Sequence, residues 1–232
     1  MNADRERDTK LAIIGYGKMG RMVESLAPEY GFTIHAKVDL GDDFAKAKGA
    51  DVAIEFTAPG EVAKNVEALA ALGVPVVIGT TGWAEQMDRV CSAVEANKTG
   101  MVWSPNFSIG VNVFFRLVRE AAKLLESQPQ YGAWAWEIHH NTKKDAPSGT
   151  LIKLVEEMQA AGYSHRIDVG SNRAGAHPGT HEIGFDSGAD TITLRHAARS
   201  REGFARGALK AAQWLPGHRG VFKFEDVLFE QR

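Results

Sequence analysis

The first hundred residues of the chain alternate short apolar runs with segments of helical spacing. The apolar runs occupy residues 11–15, 32–39, 51–57, 75–79 and 101–103. The segments with apolar residues at helical spacing lie between them, at 18–30, 61–72 and 83–97. Short buried strands that alternate with helices are typical of a parallel sheet covered on both faces. This pattern predicts an α/β domain over residues 1–107.

The alternation stops after residue 106. A strand is predicted over 133–140, in which Trp134, Trp136 and Ile138 share one face while Glu137 and His139 share the other. The other predicted elements are helices at 111–126, 148–161 and 204–215, and strands at 182–185 and 190–196. These longer strands predict a smaller α+β domain with a mixed or antiparallel sheet over 108–199, and 200–232 is assigned to the first domain.

Composition excludes several classes of protein. The formal net charge is −2, with 24% charged residues, which gives no electrostatic basis for binding nucleic acid. A single cysteine, Cys91, argues against a disulfide framework and favours a reducing compartment. Residues 1–9 are charged, unlike a signal peptide, and no apolar run is long enough to span a bilayer. We therefore expect a soluble cytoplasmic protein without membrane partners.

A glycine-rich turn follows the first predicted strand. Gly15, Gly17 and Gly20 have the spacing of a dinucleotide-binding fingerprint, in which the backbone approaches a pyrophosphate at the start of a helix. Asp39 ends the second strand, where a carboxylate can accept hydrogen bonds from the ribose hydroxyls. The alternative is a strand-end aspartate that caps a turn. The other predicted cofactor contacts of this turn are Tyr16, Lys18 and Met19.

The same aspartate bears on the choice of cofactor. A carboxylate at Asp39 would repel a 2′-phosphate, and Lys18 and Lys37 are the nearby cations that we identify. NADH is therefore favoured, and NADPH is possible if Lys18 reaches the phosphate. A second glycine turn, Gly79-Thr80-Thr81-Gly82, follows another parallel strand, where its backbone could approach the nicotinamide or simply lead into a helix.

Residues 137–150 combine a proton donor, a cation and a helix start. His139 and His140 end a strand, Lys143 follows three residues later, and Ser148 can cap the next helix. Free amides at such a helix start could hold a substrate carboxylate. Each residue alone could equally be an ordinary cap or a strand-end residue, but their joint occurrence favours chemistry.

No metal site is predicted. His177 and His181 are four residues apart, but the intervening Pro178 and Gly179 exclude the helix that would direct both at one ion. Adjacent histidines on a strand, such as His139 and His140, point to opposite faces.

With these motifs the chain resembles the 4-hydroxy-tetrahydrodipicolinate (dihydrodipicolinate) reductases of the diaminopimelate route to lysine. The resemblance extends from about residue 10 to 215. Its most specific block is Glu137-Ile138-His139-His140 with Lys143 and Asp145-Ala146-Pro147-Ser148-Gly149-Thr150. The supporting blocks are Gly79 to Gly82, Asn106 to Asn112, and Ser200-Arg201 with Phe204, Gly207 and Ala208.

The resemblance implies a Rossmann-type domain, a substrate domain that forms a homotetramer, and hydride transfer from the nicotinamide C4 to a small dicarboxylate ring. It implies that His139 is the general acid/base and Lys143 the proton donor. The residues implied to hold the dicarboxylate are His140, Ser148, Gly149 and Thr150. A further cofactor segment is implied at Ser104, Pro105, Asn106 and Phe107. Domain closure would complete the site.

The chain departs from the family pattern in three places. The glycine turn is one residue shorter than in many members, and Lys18 stands where arginine is frequent. Residues 164–196 are compact and are expected to lack a loop and part of a strand, which bears on tetramer contacts.

Two other functions stay open on the sequence alone. Another two-domain dehydrogenase would share the turn but would not need the 137–150 block. A non-catalytic nucleotide sensor would be expected to lack His139 and Lys143.

Overall fold

The computed structural model describes residues 9–230, in two compact units. The first unit runs to Ser108 and resumes at Phe204, and the second is Ile109–Gly203. The predicted division at 107/108 and 199/200 lies close to these boundaries. The charged residues 1–8, which contributed to the expectation of no signal peptide, lie outside the described residues.

The first unit is built on a six-stranded parallel sheet, as the alternating pattern predicts. Its strands are β1 (Thr9–Ile14), β2 (Phe32–Val38), β3 (Val52–Glu55), β4 (Val76–Ile78), β5 (Gly100–Trp103) and β10 (Gly220–Lys223). Their order across the sheet is β10-β5-β4-β3-β1-β2. The helices of this unit are α1 (Lys18–Leu26), α2 (Val62–Ala71), α3 (Met87–Ala96), α6 (Glu202–Trp214) and α7 (Phe224–Phe229).

The inner strands of this sheet are buried on both faces, which is typical of a parallel sheet between layers of helices. All four residues of β3 are buried, including Glu55. One core cluster joins Val66 and Leu69 of α2 to Val90 of α3, and Cys91 packs against it as a partly buried side chain. Neither β10 nor α7 was predicted from the sequence.

The second unit has a mixed four-stranded sheet. Its elements are α4 (Ile109–Leu125), β6 (Gly132–His139), α5 (Gly149–Ala160), β7 (Ile167–Arg173), β8 (Thr180–Asp186) and β9 (Thr191–Ala197). The strand order is β7-β6-β8-β9, in which only the β6–β7 pair is parallel. The expectation that residues 164–196 lack part of a strand found in other family members stays a prediction. These residues contain β7 and β8 and most of β9, and β7 was missed because its central Gly-Ser-Asn has no apolar alternation.

One face of the second sheet is covered by α4 and α5, and this buries one side of strand β6. Alternate residues of β6 from Ala133 to His139 are buried, and the core beside them includes Phe114 of α4, Leu151 of α5 and Ile183 of β8. Trp134 and Trp136 lie on the opposite face and are only half-buried. The predicted division of β6 into two faces is therefore confirmed, and Glu137 and His139 belong to the covered face. Among residues 9–230, no helix is both long and apolar enough to cross a membrane.

Candidate active site

The three glycines of the first turn serve three different purposes. Gly15 has φ +87°, and a Cβ there would lie 2.2 Å from the carbonyl oxygen of Phe56. A Cβ on Gly20 would lie 2.2 Å from the carbonyl oxygen of Gly15, so glycine allows α1 to pack tightly on the strand end. Around Gly17 there is nothing within 4 Å of a Cβ position. Gly17 also precedes the first turn of α1 without a side-chain cap. This open helix start fits a pyrophosphate.

A cavity of about 540 Å³ opens beside this turn. Of the predicted cofactor contacts, Gly15, Gly17 and Asp39 line it, together with Thr57 and Lys64. Asp39 is exposed, and one of its carboxylate oxygens accepts the N–H of Leu40 at 2.9 Å. The cleft therefore offers an open helix start at one point and an exposed carboxylate at another, which fits the pyrophosphate and ribose of a dinucleotide.

One cation near the cleft, Lys37, is paired with an acidic neighbour. The Lys37 ammonium lies 2.9 Å from the Glu24 carboxylate, and the Tyr16 hydroxyl donates to the same carboxylate. These hydrogen bonds hold the pKa of Glu24 below its usual value. Arg21, which the sequence analysis did not include among the nearby cations, lies 5.5 Å from the centre of the Tyr16 ring. Lys37 is thus paired rather than presented to a ligand.

The second glycine turn rests on a buried carboxyl group. Glu55 is fully buried at the end of β3, and its side chain accepts hydrogen bonds from Thr57 and, at 3.4 Å, from Asn65. Thr80 accepts the N–H of Thr57 at 2.7 Å, which ties the ends of β3 and β4 together. Burial raises the pKa of Glu55, although Thr57, Thr80 and Asn65 oppose the rise. A Cβ on Gly79 would overlap the Phe56 ring, so the turn after β4 lies against the turn after β3.

The segment Ser104–Phe107 forms a compact turn. The Ser104 hydroxyl donates to the carbonyl of Asn106 and accepts its N–H, at 2.8 and 3.1 Å. The Phe107 ring is buried, with its centre 4.8 Å from that of Phe224. Phe107 therefore anchors the turn in the core, and a cofactor contact by its side chain is not what the structure favours.

In the second unit, a buried carboxylate lies at the centre of the covered face. Glu137 is fully buried. Its Oε1 accepts hydrogen bonds from Ser148 N–H at 2.9 Å, from Ser171 at 2.7 Å and from Arg173 at 3.0 Å. Its Oε2 accepts the Ser148 hydroxyl. Burial alone would raise the pKa of Glu137, but these hydrogen bonds together lower it to about 2. Glu137 is ionised at neutral pH.

Two imidazoles adjoin this carboxylate. Nδ1 of His139 lies 3.4 Å from Oε2 of Glu137, and Nε2 of His181 lies 3.3 Å from the same oxygen. The two ring centres are 5.0 Å apart in an edge-to-face arrangement. Burial lowers the pKa of both rings, and in His181, with His139 beside it, to about 4. Both histidines are buried.

The predicted proton donor lies just beyond the strand. The Lys143 ammonium donates to both carboxylate oxygens of Asp145 at 2.8 Å. This contact, above all, holds the pKa of Asp145 below its usual value, and the N–H of Gly149 contributes. Nδ1 of His140 lies 2.7 Å from the Thr142 hydroxyl. Lys143 also contributes to the lowered pKa of His139, so the two predicted catalytic groups share one environment.

Ser148 caps helix α5 as predicted, but it also has another task. Its hydroxyl accepts the N–H of Leu151 at 3.2 Å, while its own N–H and hydroxyl donate to Glu137. Ser148 is buried, whereas Gly149 is exposed and Thr150 half-buried. The donors of Ser148 are thus occupied by protein, and the helix start presents Gly149 and Thr150 instead.

Glu137, His139 and His181 also have the residue types of a metal site, with ligand atoms within 4.8 Å of one another. The carboxylate already accepts hydrogen bonds from two serines, and the guanidinium of Arg173 opposes a second cation. The contacts of these side chains are those of a hydrogen-bonded cluster, and the expectation that no metal is used stays a prediction.

Sequence analysis missed His181, Arg173 and Ser171 because their positions depend on strand register. In the β6–β8 ladder Glu137 pairs with His181, and in the β6–β7 ladder it pairs with Ser171. The same ladder pairs His139 with Arg173. A local signal in the sequence is Arg173-Ala174-Gly175, in which Arg173 ends β7 and a turn follows.

Comparison with known proteins identifies the family of both units. Residues 9–107 match the family model described as the N-terminus of dihydrodipicolinate reductase, and residues 110–228 match the model of its C-terminus. The chain is 34% identical to a 4-hydroxy-tetrahydrodipicolinate reductase of Christiangramia forsetii, over 94% of this chain and 97% of that protein. It is 40% identical to that of Methanosarcina acetivorans, over 94% and 88%.

The fold is also that of a solved structure with this description. A dipicolinate-bound dihydrodipicolinate reductase from Paenisporosarcina sp. TG-14 superposes with a TM-score of 0.77, at 23% identity, over 95% of this chain and 99% of that one. At this identity the superposition supports the two-unit architecture.

Proposed function

Because the chain belongs to the dihydrodipicolinate reductase family, we propose that His139 and Lys143 are the groups that handle protons in the reaction that it catalyses. That reaction is the NAD(P)H-dependent reduction of 4-hydroxy-tetrahydrodipicolinate to tetrahydrodipicolinate, in the diaminopimelate route to lysine. A bound nicotinamide supplies the hydride. One arrangement carries the proposal. Lys143 pairs with Asp145, which also accepts the N–H of Gly149 at the exposed start of helix α5. The His139 imidazole lies 3.4 Å from Glu137, which accepts the N–H of Ser148 at the same helix start.

Lys143 is proposed to deliver the proton that follows hydride addition. Its side chain is 23% exposed, so its ammonium can reach a ligand, and its present partner is the exposed carboxylate of Asp145. An anionic substrate would compete with Asp145 for the same charge. Nearby positive charge also stabilises negative charge that develops on the substrate during reduction.

The dicarboxylate substrate is proposed to bind at the start of α5. Exposed Gly149 and half-buried Thr150 begin the helix, where amide groups and the helix dipole favour an anion. His140 lies just beyond the strand end and is half-buried. Ser148, also expected to contact substrate, is proposed to act by holding the helix start on Glu137.

Substitution of the lysine tests the assignment. In Lys143→Ala, kcat with freshly prepared substrate is expected to fall by about 100-fold or more, because the group proposed to deliver the proton is removed. NADH affinity, measured by fluorescence titration, is expected to stay within about twofold. Lys144→Ala is the matched control, since that neighbouring side chain is exposed. Wild-type turnover in Lys143→Ala would refute the assigned mechanism.

NADH is proposed as the preferred cofactor. The exposed carboxylate of Asp39 lines the cleft and would repel a 2′-phosphate, and Lys37 is already paired with Glu24. We expect kcat/KM to favour NADH over NADPH, and Asp39→Asn to narrow the difference. Glu67→Gln, an exposed carboxylate paired with Arg89, is the control. A tenfold preference for NADPH in the wild type would contradict the proposal.

A homotetramer in the cytoplasm is proposed from the family resemblance and from one exposed surface. The open face of the second sheet carries half-buried Trp134 and Trp136, beside exposed Thr193 and Arg195 of β9. Sedimentation is expected to give about 100 kDa, four times the 25.2 kDa chain. Trp136→Glu should lower that mass, and a wild-type mass near 25.2 kDa would exclude the tetramer. Cell fractionation tests the location.

A further inference from the structure

We infer that Glu137 is a positioning residue for this reduction, whose carboxylate fixes the proton of neutral His139 on Nδ1 and leaves Nε2 to exchange a proton with substrate. The inference rests on the proton-handling role proposed for His139. It assigns a task to a side chain that is buried and does not itself reach a ligand.

The first support is the number of segments that meet at this carboxylate. Glu137 lies on β6, and it accepts hydrogen bonds from the start of α5 through Ser148 and from β7 through Ser171 and Arg173. His181 adds β8. A side chain held by four segments of the fold has little freedom to move. It therefore provides a fixed reference for the imidazole beside it.

The second support is the division of labour between the two oxygens. Oε1 accepts from Ser148, Ser171 and Arg173, whereas Oε2 faces His139 and His181. Nδ1 of His139 has no hydrogen-bond partner within residues 9–230, and Oε2 at 3.4 Å is the acceptor beside it. A lone pair on Nδ1 would face a carboxylate lone pair, so the proton belongs on Nδ1.

The third support is the tautomer that the neighbour requires. Nε2 of His181 lies 3.3 Å from Oε2 of Glu137 and 3.2 Å from the Ser148 hydroxyl, so its proton belongs on Nε2. At neutral pH this ring is uncharged, since its pKa is about 4. The two histidines around one oxygen are therefore expected to carry their protons on opposite ring nitrogens.

The fourth support comes from the other side of the His139 ring. Gly179 has φ +135°, and a Cβ there would lie 2.9 Å from Nε2 of His139. Glycine thus lets the backbone before β8 approach the ring while Glu137 approaches from Nδ1. The imidazole is confined between an anion and a backbone segment, which favours one ring orientation.

Charged groups on several segments of the fold surround His139. Burial lowers the pKa of His139, and within its surroundings Glu137 has the largest opposing effect. The other titratable or charged groups around it are Lys143 and Asp145 on the loop after β6, Arg173 on β7 and His181 on β8. Removal of the Glu137 charge should therefore lower the pKa of His139 further.

Nitrogen-15 NMR of the wild-type histidines provides a test that is independent of turnover. At pH 8, long-range proton–nitrogen correlations are expected to show His139 protonated on Nδ1 and His181 on Nε2, with signals assigned through His139→Asn and His181→Asn. A wild-type His139 that carries its proton on Nε2 would overturn the inference, whether or not any Glu137 variant folds.

The second test is Glu137→Gln, with Glu157→Gln as its matched control. A glutamine amide has one oxygen and one NH₂ group. In one orientation the NH₂ group faces the donors of Ser148 and Arg173, and in the other it faces the two imidazoles. We expect kcat to fall at least about 10-fold, the His139 titration to move to lower pH, and NADH affinity to stay unchanged. Glu157, a buried carboxylate paired with Lys153 at 2.8 Å, should be replaceable without these effects.

The outcomes separate this inference from the proposed function. If Lys143→Ala and His139→Asn lose turnover while folded Glu137→Gln keeps the wild-type rate and His139 titration, only the positioning role is wrong. If Lys143→Ala keeps turnover, the proposed function fails, and the tautomers still decide whether Glu137 orients His139. A loss of turnover in Glu137→Gln without any change in tautomer or titration would mean a merely structural role, and it too would overturn the inference.

Discussion

Each unit of the described chain buries one glutamate on a strand, and the pKa values of the two are shifted in opposite directions. Glu55 and Glu137 are both fully buried. Glu55 has neutral partners, two threonines and an asparagine, and burial raises its pKa. Glu137 has two serines, a backbone amide and a guanidinium, and its pKa falls to about 2. Neither side chain is exposed to solvent, so the charge and number of the partners contribute to the direction of each shift.

The difference follows from what each site needs. Glu55 ties together two turns at the ends of parallel strands through hydrogen bonds from neutral side chains. Glu137 adjoins two imidazoles, and its negative charge orients them. The turns beside the cavity of the first unit depend on the backbone geometry of glycine, whereas the cluster of the second unit depends on charge.

The largest expected effect comes from removal of the cation that balances Glu137. Arg173→Met should reduce the free energy of unfolding by about 3–5 kcal/mol, because it leaves a buried carboxylate without its counter-ion. Arg89→Met, which breaks an exposed pair with Glu67, should cost about 1 kcal/mol or less. Urea unfolding followed by tryptophan fluorescence measures both. Equal losses would mean that the guanidinium does not set the charge of Glu137.

Acid is expected to weaken the second unit in two successive ranges of pH. The pKa of His181 is about 4 when folded and about 6.5 when unfolded, so the unfolded chain binds more protons in that range. The free energy of unfolding should therefore fall by on the order of 3 kcal/mol between pH 7 and pH 4. Below about 4.5, protonation of unfolded Glu137 extends the loss toward its folded pKa of about 2.

A non-titrating side chain in place of the histidine sharpens this prediction. His181→Gln keeps a donor for Glu137, and its unfolding free energy should depend less on pH between 6.5 and 4 than that of the wild type. His35→Gln, at an exposed position, is the control and should keep the wild-type slope. The same slope in His181→Gln and wild type would show that His181 titrates normally.

The smallest expected effect belongs to the other glutamate. Glu55→Gln replaces the carboxyl by an amide whose oxygen can accept the same hydrogen bonds, so at pH 5 its stability should lie within about 1 kcal/mol of wild type. Because the folded pKa of Glu55 is raised, wild-type stability from this group declines as pH rises above 4.5, and the variant should gain relative to wild type toward pH 8. If the stability of the variant instead fell relative to wild type as pH rises, the folded pKa of Glu55 would not be raised.

The sequence predicted what is local and missed what is long-range. Gly15, Gly17 and Gly20 could be recognised because their spacing within one turn determines how the strand meets the helix. The faces of β6 could be recognised because alternate side chains of a strand lie on one side. Both are properties of consecutive residues.

The cluster around Glu137 could only be predicted in part. Its partners Arg173 and His181 lie 36 and 44 residues further along the chain, and a change of one residue in either strand register would place them on the other face. His181 lies opposite Glu137 through the β6–β8 pairing, which neither the adjacent nor the helical spacing of the histidines reveals. Ser148 was recognised as a cap, but its hydrogen bonds to Glu137 depend on the same register.

The pairing of β10 with β5 has a consequence for synthesis on the ribosome. Residues 220–223 complete the edge of a sheet whose other five strands lie within residues 9–103. The second unit is continuous in sequence, so all its strands have emerged before that edge is filled. Until then β5 exposes unpaired backbone groups to other nascent chains. A chain truncated before residue 220 should therefore aggregate more readily than the full chain.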